Sequence, residues 1–113
     1  MTLWRQDVVL DWEIGIVVEV VEVKLRFMSR LIIDVREPEE YARGHVEGAL
    51  NIPPAEIMDG AKALANVPKD TELVLYCTTG SRSNICKNIL GSMGFTNIVN
   101  GINKDHVKAR YNV

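Results

Sequence analysis

One short stretch of the chain carries the side chains best suited to chemistry. It reads Cys77-Thr78-Thr79-Gly80-Ser81-Arg82-Ser83. The apolar residues 73–76 (LVLY) before it predict a buried strand, and Ser81 or Ser83 is a suitable N-cap for a helix continuing through Leu90. Cys77 would then lie between a strand end and a helix start, a place that argues against burial of its thiol.

This position favours a negatively charged sulfur. The unpaired N–H groups and the positive end of the helix dipole lie at a helix start. The pKa of Cys77 should therefore fall below the ~8.5 of a free cysteine, and the thiolate is the nucleophilic form. Gly80 lets the loop curl so that its amides point inward and form an anion nest. Arg82 adds a permanent positive charge with a planar fork of donors.

The surrounding sequence predicts the elements that position this loop. Residues 31–35 (LIIDV) form a continuous apolar run, typical of a strand covered on both faces of a parallel sheet. Pro38 predicts the first turn of a short helix that Gly44 ends, and residues 46–52 predict a short strand stopped by Pro53 and Pro54. A weaker helix is expected over residues 55–65.

After the loop, residues 83–93 predict a helix with Gly94 as its C′ residue. Residues 97–99 predict a last strand, followed by a turn at Asn100-Gly101. Strands that alternate with helices indicate an α/β domain with a mostly parallel sheet and helices on both faces. Ligands bind such sheets at the carboxyl ends of strands, which is where Cys77 lies.

Length and charge narrow the class of protein. The 113 residues fit one domain, and 13 basic against 15 acidic side chains give no sign of a nucleic-acid or membrane surface. Two cysteines nine positions apart make neither a disulfide framework nor a zinc knuckle, which favours a reducing compartment. Charges interrupt the apolar run 14–27, and acidic residues occupy the start, so neither a membrane span nor a signal peptide is expected. The predicted location is cytoplasmic.

The first 28 residues carry the weakest pattern. Residues 21–27 alternate apolar with charged side chains, which predicts a strand with one wet face. The alternative is that Met28 is the native start and the preceding sequence is upstream or vector-derived. The expected organisation is thus a segment 1–28, native or not, followed by a single domain over residues 29–113.

Two upstream segments extend the pattern of the cysteine loop. They are residues 31–41 (LIIDVREPEEY) and 44–53 (GHVEGALNIP). The three motifs together, in this order and spacing, resemble those of the rhodanese family of sulfurtransferases over Leu31 to Ile102. The resemblance implies a small central sheet of about five strands flanked by helices, and no metal or organic cofactor. The chain departs from the family where a double glycine and a tryptophan often follow the last strand: it has Asn100-Gly101-Ile102, then what looks like a polar, frayed helix.

The resemblance also implies the reaction. Cys77 would take a sulfane sulfur from thiosulfate or polysulfide, carry it as a persulfide, and pass it to a thiol or cyanide acceptor. Loop amides would cradle the outer sulfur, in the manner of an oxyanion hole. Arg82 would bind the sulfonate end of thiosulfate. The expected substrate-binding residues are Thr78, Thr79, Gly80, Ser81, Arg82, Ser83 and Arg36.

Four further residues have two interpretations each. Asp34 and Arg36 follow the first strand and would join an ion-pair network beside the site, although Arg36 is also placed to face the anion. His45 is expected to stabilise a turn rather than to act as a general base, which a preformed thiolate does not need. Cys86 is expected in the core, with a resolving thiol as the alternative.

Two other functions remain open. The phosphatases and arsenate reductases that share this fold place the arginine one residue farther from the cysteine, which gives a wider cradle for a tetrahedral phosphate. Here four residues separate Cys77 from Arg82, and the shorter loop favours sulfur. The other alternative is a sulfur-relay module whose partner is a protein thiol and which has little activity on free thiosulfate.

Overall fold

A computed structural model describes residues 29–113. Its sheet contains the strands β1 (Arg30–Asp34), β2 (Leu50–Asn51), β3 (Glu72–Cys77) and β4 (Ile98–Asn103). They lie in the order β2-β1-β3-β4, and every neighbouring pair is parallel. The expectation of a parallel α/β sheet is confirmed. The expected count of about five strands is too high for this part of the chain, which contributes four; the predicted strand over residues 21–27 lies outside the described residues.

Four α-helices connect or follow these strands. They are α1 (Pro38–Ala42), α2 (Pro54–Met58), α3 (Ser81–Ser92) and α4 (Lys104–Tyr111), and a 3₁₀ helix covers Lys62–Leu64. Proline stands at the start of both α1 and α2, where its missing N–H costs nothing and its fixed φ suits the first turn. No helix within residues 29–113 is long and apolar enough to cross a membrane.

The sheet is covered on both faces, as alternating strand side chains require. Leu73, Leu75 and Cys77 of β3 join a core that includes Ile57 of α2 and Leu90 of α3. The intervening residues Val74 and Tyr76 point to the opposite face and pack with Val107 of α4. Because side chains alternate along a strand, Cys77 faces the α3 side of the sheet.

Three predicted boundaries were wrong. The helix expected over residues 55–65 stops at Met58, because Gly60 (φ +106°) and Ala61 (φ +50°) adopt left-handed conformations that no α-helix contains. The strand expected over residues 46–52 shrinks to Leu50–Asn51, since a turn at 47–48 closes with the Ala49 amide donating to the Val46 carbonyl at 2.9 Å.

The third wrong boundary concerns β4. Instead of turning at Asn100-Gly101, the strand continues to Asn103 through a β-bulge: Asn100 pairs with Leu75 and Ile102 with Tyr76, so Gly101 is the extra residue. The tail then forms α4 as predicted, with the Asn103 side chain accepting from the His106 amide at 2.8 Å.

Gly101 is packed so closely that it should tolerate no side chain. A Cβ at this position would lie 2.6 Å from Val107 Cγ2 and 3.1 Å from the Leu75 carbonyl oxygen. We therefore expect Gly101→Ala to lower the free energy of unfolding by about 1–3 kcal/mol, the usual cost of overpacking, as measured by urea denaturation.

Gly91→Ala is the matched control for this substitution. Gly91 lies inside α3 with nothing within 4 Å of an added Cβ. Alanine there should raise stability by about 0.5–1 kcal/mol through helix propensity. Equal effects of the two substitutions would contradict the close packing of the bulge.

Candidate functional site

The cysteine loop joins β3 to α3 in three residues. β3 ends at Cys77, and α3 begins at Ser81 with Gly80 as its N-cap in a left-handed conformation (φ +95°). The expectation that Ser81 or Ser83 caps this helix was therefore wrong. Gly80 suits the N-cap because glycine adopts this φ without the strain that a side chain would cause. Ser83 instead turns inward within the first helical turn and is fully buried.

The Cys77 side chain is more buried than its position predicted. Only 2% of Cys77 is exposed, because its side chain points between the sheet and α3. It nevertheless forms part of the wall of an open pocket of about 230 Å³. The other lining residues are Arg36, Thr78, Asn103, Lys104 and Asp105. Cys77 is therefore largely shielded from bulk solvent but still borders a cavity.

Hydrogen bonds converge on the Cys77 sulfur. The Gly80 amide donates to Sγ at 3.1 Å, and Ser83 Oγ lies 3.6 Å from Sγ. Burial favours the neutral thiol, but the Ser83 hydroxyl and the amides of the loop outweigh it and lower the pKa of Cys77 to about 7. The contributing amides are those of Ser83, Gly80 and Thr79. The thiolate fraction at neutral pH is then larger than the few per cent of a free cysteine.

Arg82 does not project freely into the pocket. Its Nη1 donates to Glu40 Oε1 at 2.8 Å and its Nη2 to Oε2 at 3.1 Å, and Nη2 also reaches Thr78 Oγ1 at 3.2 Å. Hydrogen bonding to Arg82 helps to lower the pKa of Glu40 to about 2. The pair ties α1 to the cysteine loop. Within residues 29–113, three of the five guanidinium donors are thereby used.

Arg36 does line the pocket, held there by a buried carboxylate. Its Nε and Nη2 donate to the two oxygens of Asp34 at 2.9 and 2.6 Å, and Nη2 also donates to the Gly44 carbonyl at 2.7 Å. Asp34 has no exposed surface and the Arg36 side chain is 12% exposed. The network expected after the first strand is present and fixes Arg36 at the pocket wall.

The surroundings of His45 and Cys86 are typical of residues with structural roles. His45 Nδ1 is 2.8 Å from the Tyr41 carbonyl oxygen, and its ring stacks on that of Tyr41. Cys86 is fully buried in the core with Leu90, and burial raises its pKa to about 11. Both arrangements favour the structural interpretation of these residues over general-base or resolving roles.

Sequence reasoning missed four residues around the site. Asn103, Lys104 and Asp105 line the pocket from the start of α4. Asn100 donates from Nδ2 to the Gly80 carbonyl at 3.1 Å. One signal was available: β4 lies beside β3 in the parallel sheet, so its carboxyl end meets the same edge as Cys77. Asn100 was expected in a turn, and the other three belong to a tail that was expected to be frayed.

No group of three or more His, Cys, Asp or Glu side chains in the described part of the chain is arranged to hold a metal. The Gly80 amide donates to the sulfur, and the pocket lining adds the Arg36 guanidinium and the Lys104 ammonium, with Asp105 its one carboxylate. Such a set suits a bound anion.

The structure and the comparison with known families lead to the same conclusion. The model of the Rhodanese-like domain family matches residues 19–103. The chain belongs to the rhodanese-like family. Among its relatives, thiosulfate sulfurtransferase PspE of Escherichia coli strain K12 is 43% identical over 74 residues, which cover 66% of this chain and 70% of PspE. The prediction of an enzyme similar to the thiosulfate sulfurtransferases is confirmed at this level.

Two further comparisons bear on the fold and on possible partners. A solved structure, a rhodanese with anions from E. coli, is 35% identical to the rhodanese-like chain, with a TM-score of 0.61, and the match covers 68% of this chain and 89% of that one. YrkF of Bacillus subtilis strain 168, named as a candidate sulfur carrier protein, is 33% identical over 69 residues, or 61% of this chain and 36% of YrkF.

The pKa of Cys77 predicts a selective and pH-dependent alkylation. We expect iodoacetamide to modify Cys77 at a rate that follows the thiolate fraction and rises through about pH 7, because only the thiolate reacts. Cys86, with a pKa near 11 and no exposure, should stay unmodified at neutral pH. Peptide mass spectrometry after timed alkylation measures both rates. A midpoint for Cys77 at or above that of free cysteine would contradict the hydrogen bonds assigned to its sulfur.

Proposed function

We propose that this chain is a sulfurtransferase that carries a sulfane sulfur as a persulfide on Cys77. The observation that carries the proposal is the Gly80 amide aimed at Sγ from 3.1 Å at the wall of an anion-suited pocket. Membership in the rhodanese-like family and the similarity to PspE support it. Thiosulfate or polysulfide is the proposed donor.

The loading step is a displacement at sulfur. The Cys77 thiolate attacks the outer sulfur of thiosulfate, a bond forms between Sγ and that sulfur, and the sulfur–sulfur bond of thiosulfate breaks. Sulfite leaves with the electron pair, and the negative charge moves to the outer sulfur of the persulfide. The amides of residues 78–83 are the proposed cradle for that charge, because those of Thr79, Gly80 and Ser83 already face the sulfur at a helix start.

The remaining loop and pocket residues take substrate-binding roles in this proposal. Arg36, held at the wall by Asp34, faces the same cavity as the sulfur. Arg82 keeps its bond to Glu40 and offers its two remaining donors to the sulfonate of thiosulfate. Thr78, Thr79 and Ser81 act through their amides and by shaping the rim, since Thr78 and Thr79 are exposed.

The acceptor is proposed to be a thiol or cyanide, and a protein thiol is a specific candidate. The sulfur carrier name of YrkF supports it, as does an open pocket that a second protein's thiolate can enter. The phosphatase alternative is less well supported. Four residues separate Cys77 from Arg82, whereas a phosphate cradle needs a wider loop.

Incubation with thiosulfate should add one sulfur atom to the protein. We expect intact-protein mass spectrometry to detect this gain in the native chain and in Cys86→Ala, and a reducing thiol to remove it, because a persulfide is a sulfane sulfur on a single cysteine. Cys77→Ala should gain nothing. A gain that persists in Cys77→Ala, or hydrolysis of an aryl phosphate that depends on Cys77, would refute the proposal.

Kinetics with two sulfur donors distinguish two roles of Arg82: binding the sulfonate of thiosulfate, or bracing the cysteine loop through Glu40. Loss of a charge-assisted hydrogen bond costs about 1.5–3 kcal/mol, so Arg82→Ala should raise KM for thiosulfate by about tenfold or more. Loading from polysulfide, which carries no sulfonate, should keep its KM. Steady-state kinetics with both donors measures this difference.

Arg43→Ala is the matched control for Arg82. Arg43 is an exposed arginine at the end of α1 whose Nε donates only to a backbone carbonyl. Its replacement should change neither KM. Equal losses with both donors in Arg82→Ala would show that Arg82 only braces the loop through Glu40.

A further inference from the structure

Asn100 reaches the cysteine loop from the neighbouring strand. It stands at the β4 bulge, opposite Leu75, and its side-chain amide makes three hydrogen bonds. Nδ2 donates to the Gly80 carbonyl at 3.1 Å, and Oδ1 accepts from the Ile102 amide at 3.0 Å and from Ser83 Oγ at 2.6 Å. A bulge beside an active site often re-aims a side chain in this way.

Two backbone groups fix which way the Asn100 amide points. The Ile102 N–H can meet only an oxygen, and the Gly80 carbonyl can meet only a nitrogen. The orientation of the amide therefore follows from its partners and leaves Oδ1 facing Ser83. Because Oδ1 has no proton, Ser83 must be the donor in the 2.6 Å contact.

More than one acceptor therefore competes for the single proton of the Ser83 hydroxyl. Asn100 Oδ1 at 2.6 Å and the Gly80 carbonyl at 3.2 Å both accept it, so a lone pair of Oγ faces the Cys77 sulfur at 3.6 Å. This arrangement suits the neutral thiol, which donates S–H to Ser83. When Cys77 ionises, the hydroxyl must rotate toward the sulfur and give up Asn100 before it stabilises the thiolate.

We propose that Asn100 is a positioning residue for Cys77: it fixes the Gly80 carbonyl and competes with the sulfur for the Ser83 proton. The inference rests on the proposed use of Cys77 as the nucleophile. Asn100 thereby sets the fraction of thiolate, and the competition leaves the amides of the loop as the donors that always face the sulfur. The Gly80 carbonyl also accepts from the Asn84 amide at 3.0 Å, so it keeps a partner when Asn100 is replaced.

Charged and titratable groups from every neighbouring element also face Cys77, and none of them is altered by a change at position 100. They are Arg36 after β1, Arg82 and Cys86 on α3, and Lys104 and Asp105 at the start of α4. Their electrostatic effect is common to the native chain and its Asn100 variants.

Alkylation of Cys77 across pH tests this competition. Asn100→Leu removes the nearer acceptor and leaves the Gly80 carbonyl at 3.2 Å, which already accepts from the Asn84 amide. The Ser83 proton should then turn to the sulfur, so the pKa of Cys77 should fall and iodoacetamide should react about three- to tenfold faster at pH 6. Ser83→Ala should act in the opposite direction, because the thiolate loses that donor. In the double variant, the Asn100 substitution should have no further effect.

That loss of effect in the double variant is the outcome a merely structural role would not produce. Asn97→Leu, an exposed position next to β4, is the control and should alkylate like the native chain. A slower or unchanged rate in Asn100→Leu, or the same gain in the Ser83→Ala background, overturns the proposal. If Asn100→Leu fails to fold by circular dichroism, Asn100→Asp replaces it: its added charge and stronger acceptor should slow alkylation at pH 6, and the slowing should be smaller in the Ser83→Ala background, where only the effect of the charge remains. Equal slowing in both backgrounds overturns the proposal.

The titration uses no sulfur donor, so it separates this inference from the proposed function. A native chain that gains no sulfur from thiosulfate refutes the sulfurtransferase while the titration still reports on Asn100. An unshifted titration together with normal sulfur loading refutes the role of Asn100 alone. Where both hold, the pH profile of persulfide formation in Asn100→Leu should move to lower pH.

Discussion

The bond from the Gly80 amide to the Cys77 sulfur is the interaction on which the site depends. A buried thiolate is unfavourable unless donors replace the water it has lost, and the loop supplies them from its own backbone. Backbone donors are available here because α3 begins at Ser81 and the preceding Gly80 turns left-handed. The strand end, Gly80 and the start of α3 therefore act as one structural unit, which lowers the pKa of Cys77 despite its burial.

Contacts from three other parts of the molecule hold this unit and the pocket wall beside it in position. The α1 helix holds the loop through Glu40 and Arg82, and the buried Asp34 fixes Arg36 at the pocket wall. From the other side, β4 presents Asn100 to the Gly80 carbonyl. Two of these contacts, Glu40–Arg82 and Asn100–Gly80, join residues far apart in sequence, so the loop is held in place only when β4 and α1 have packed around it. The geometry around Cys77 and the stability of this small domain are therefore coupled.

Much of the fold and of the site was predictable, for identifiable reasons. The apolar runs of β1 and β3 and Pro38 at the start of α1 act locally, and they predicted these elements correctly. The loop motif identified Cys77 and its amides. Long-range features were out of reach: nothing local shows that Arg82 bonds to Glu40, that β4 continues through a bulge, or that Asn100 reaches Ser83. The burial of Cys77 was mispredicted because a strand end can lie under a helix start.

Ile102 has an unusual backbone conformation. The left-handed conformation inside β4 falls on this residue (φ +73°), which is β-branched, so that the conformation costs roughly 1–2 kcal/mol. Gly101 cannot exchange roles with it, because Val107 and the Leu75 carbonyl leave no room for a Cβ there. The Asn100 side chain accepts from the Ile102 amide and holds the strained residue in place. Ile102 Cγ2 then lies 3.5 Å from where a Cβ of Gly80 would be, so the same strain that closes the bulge also packs an apolar side chain against the cysteine loop.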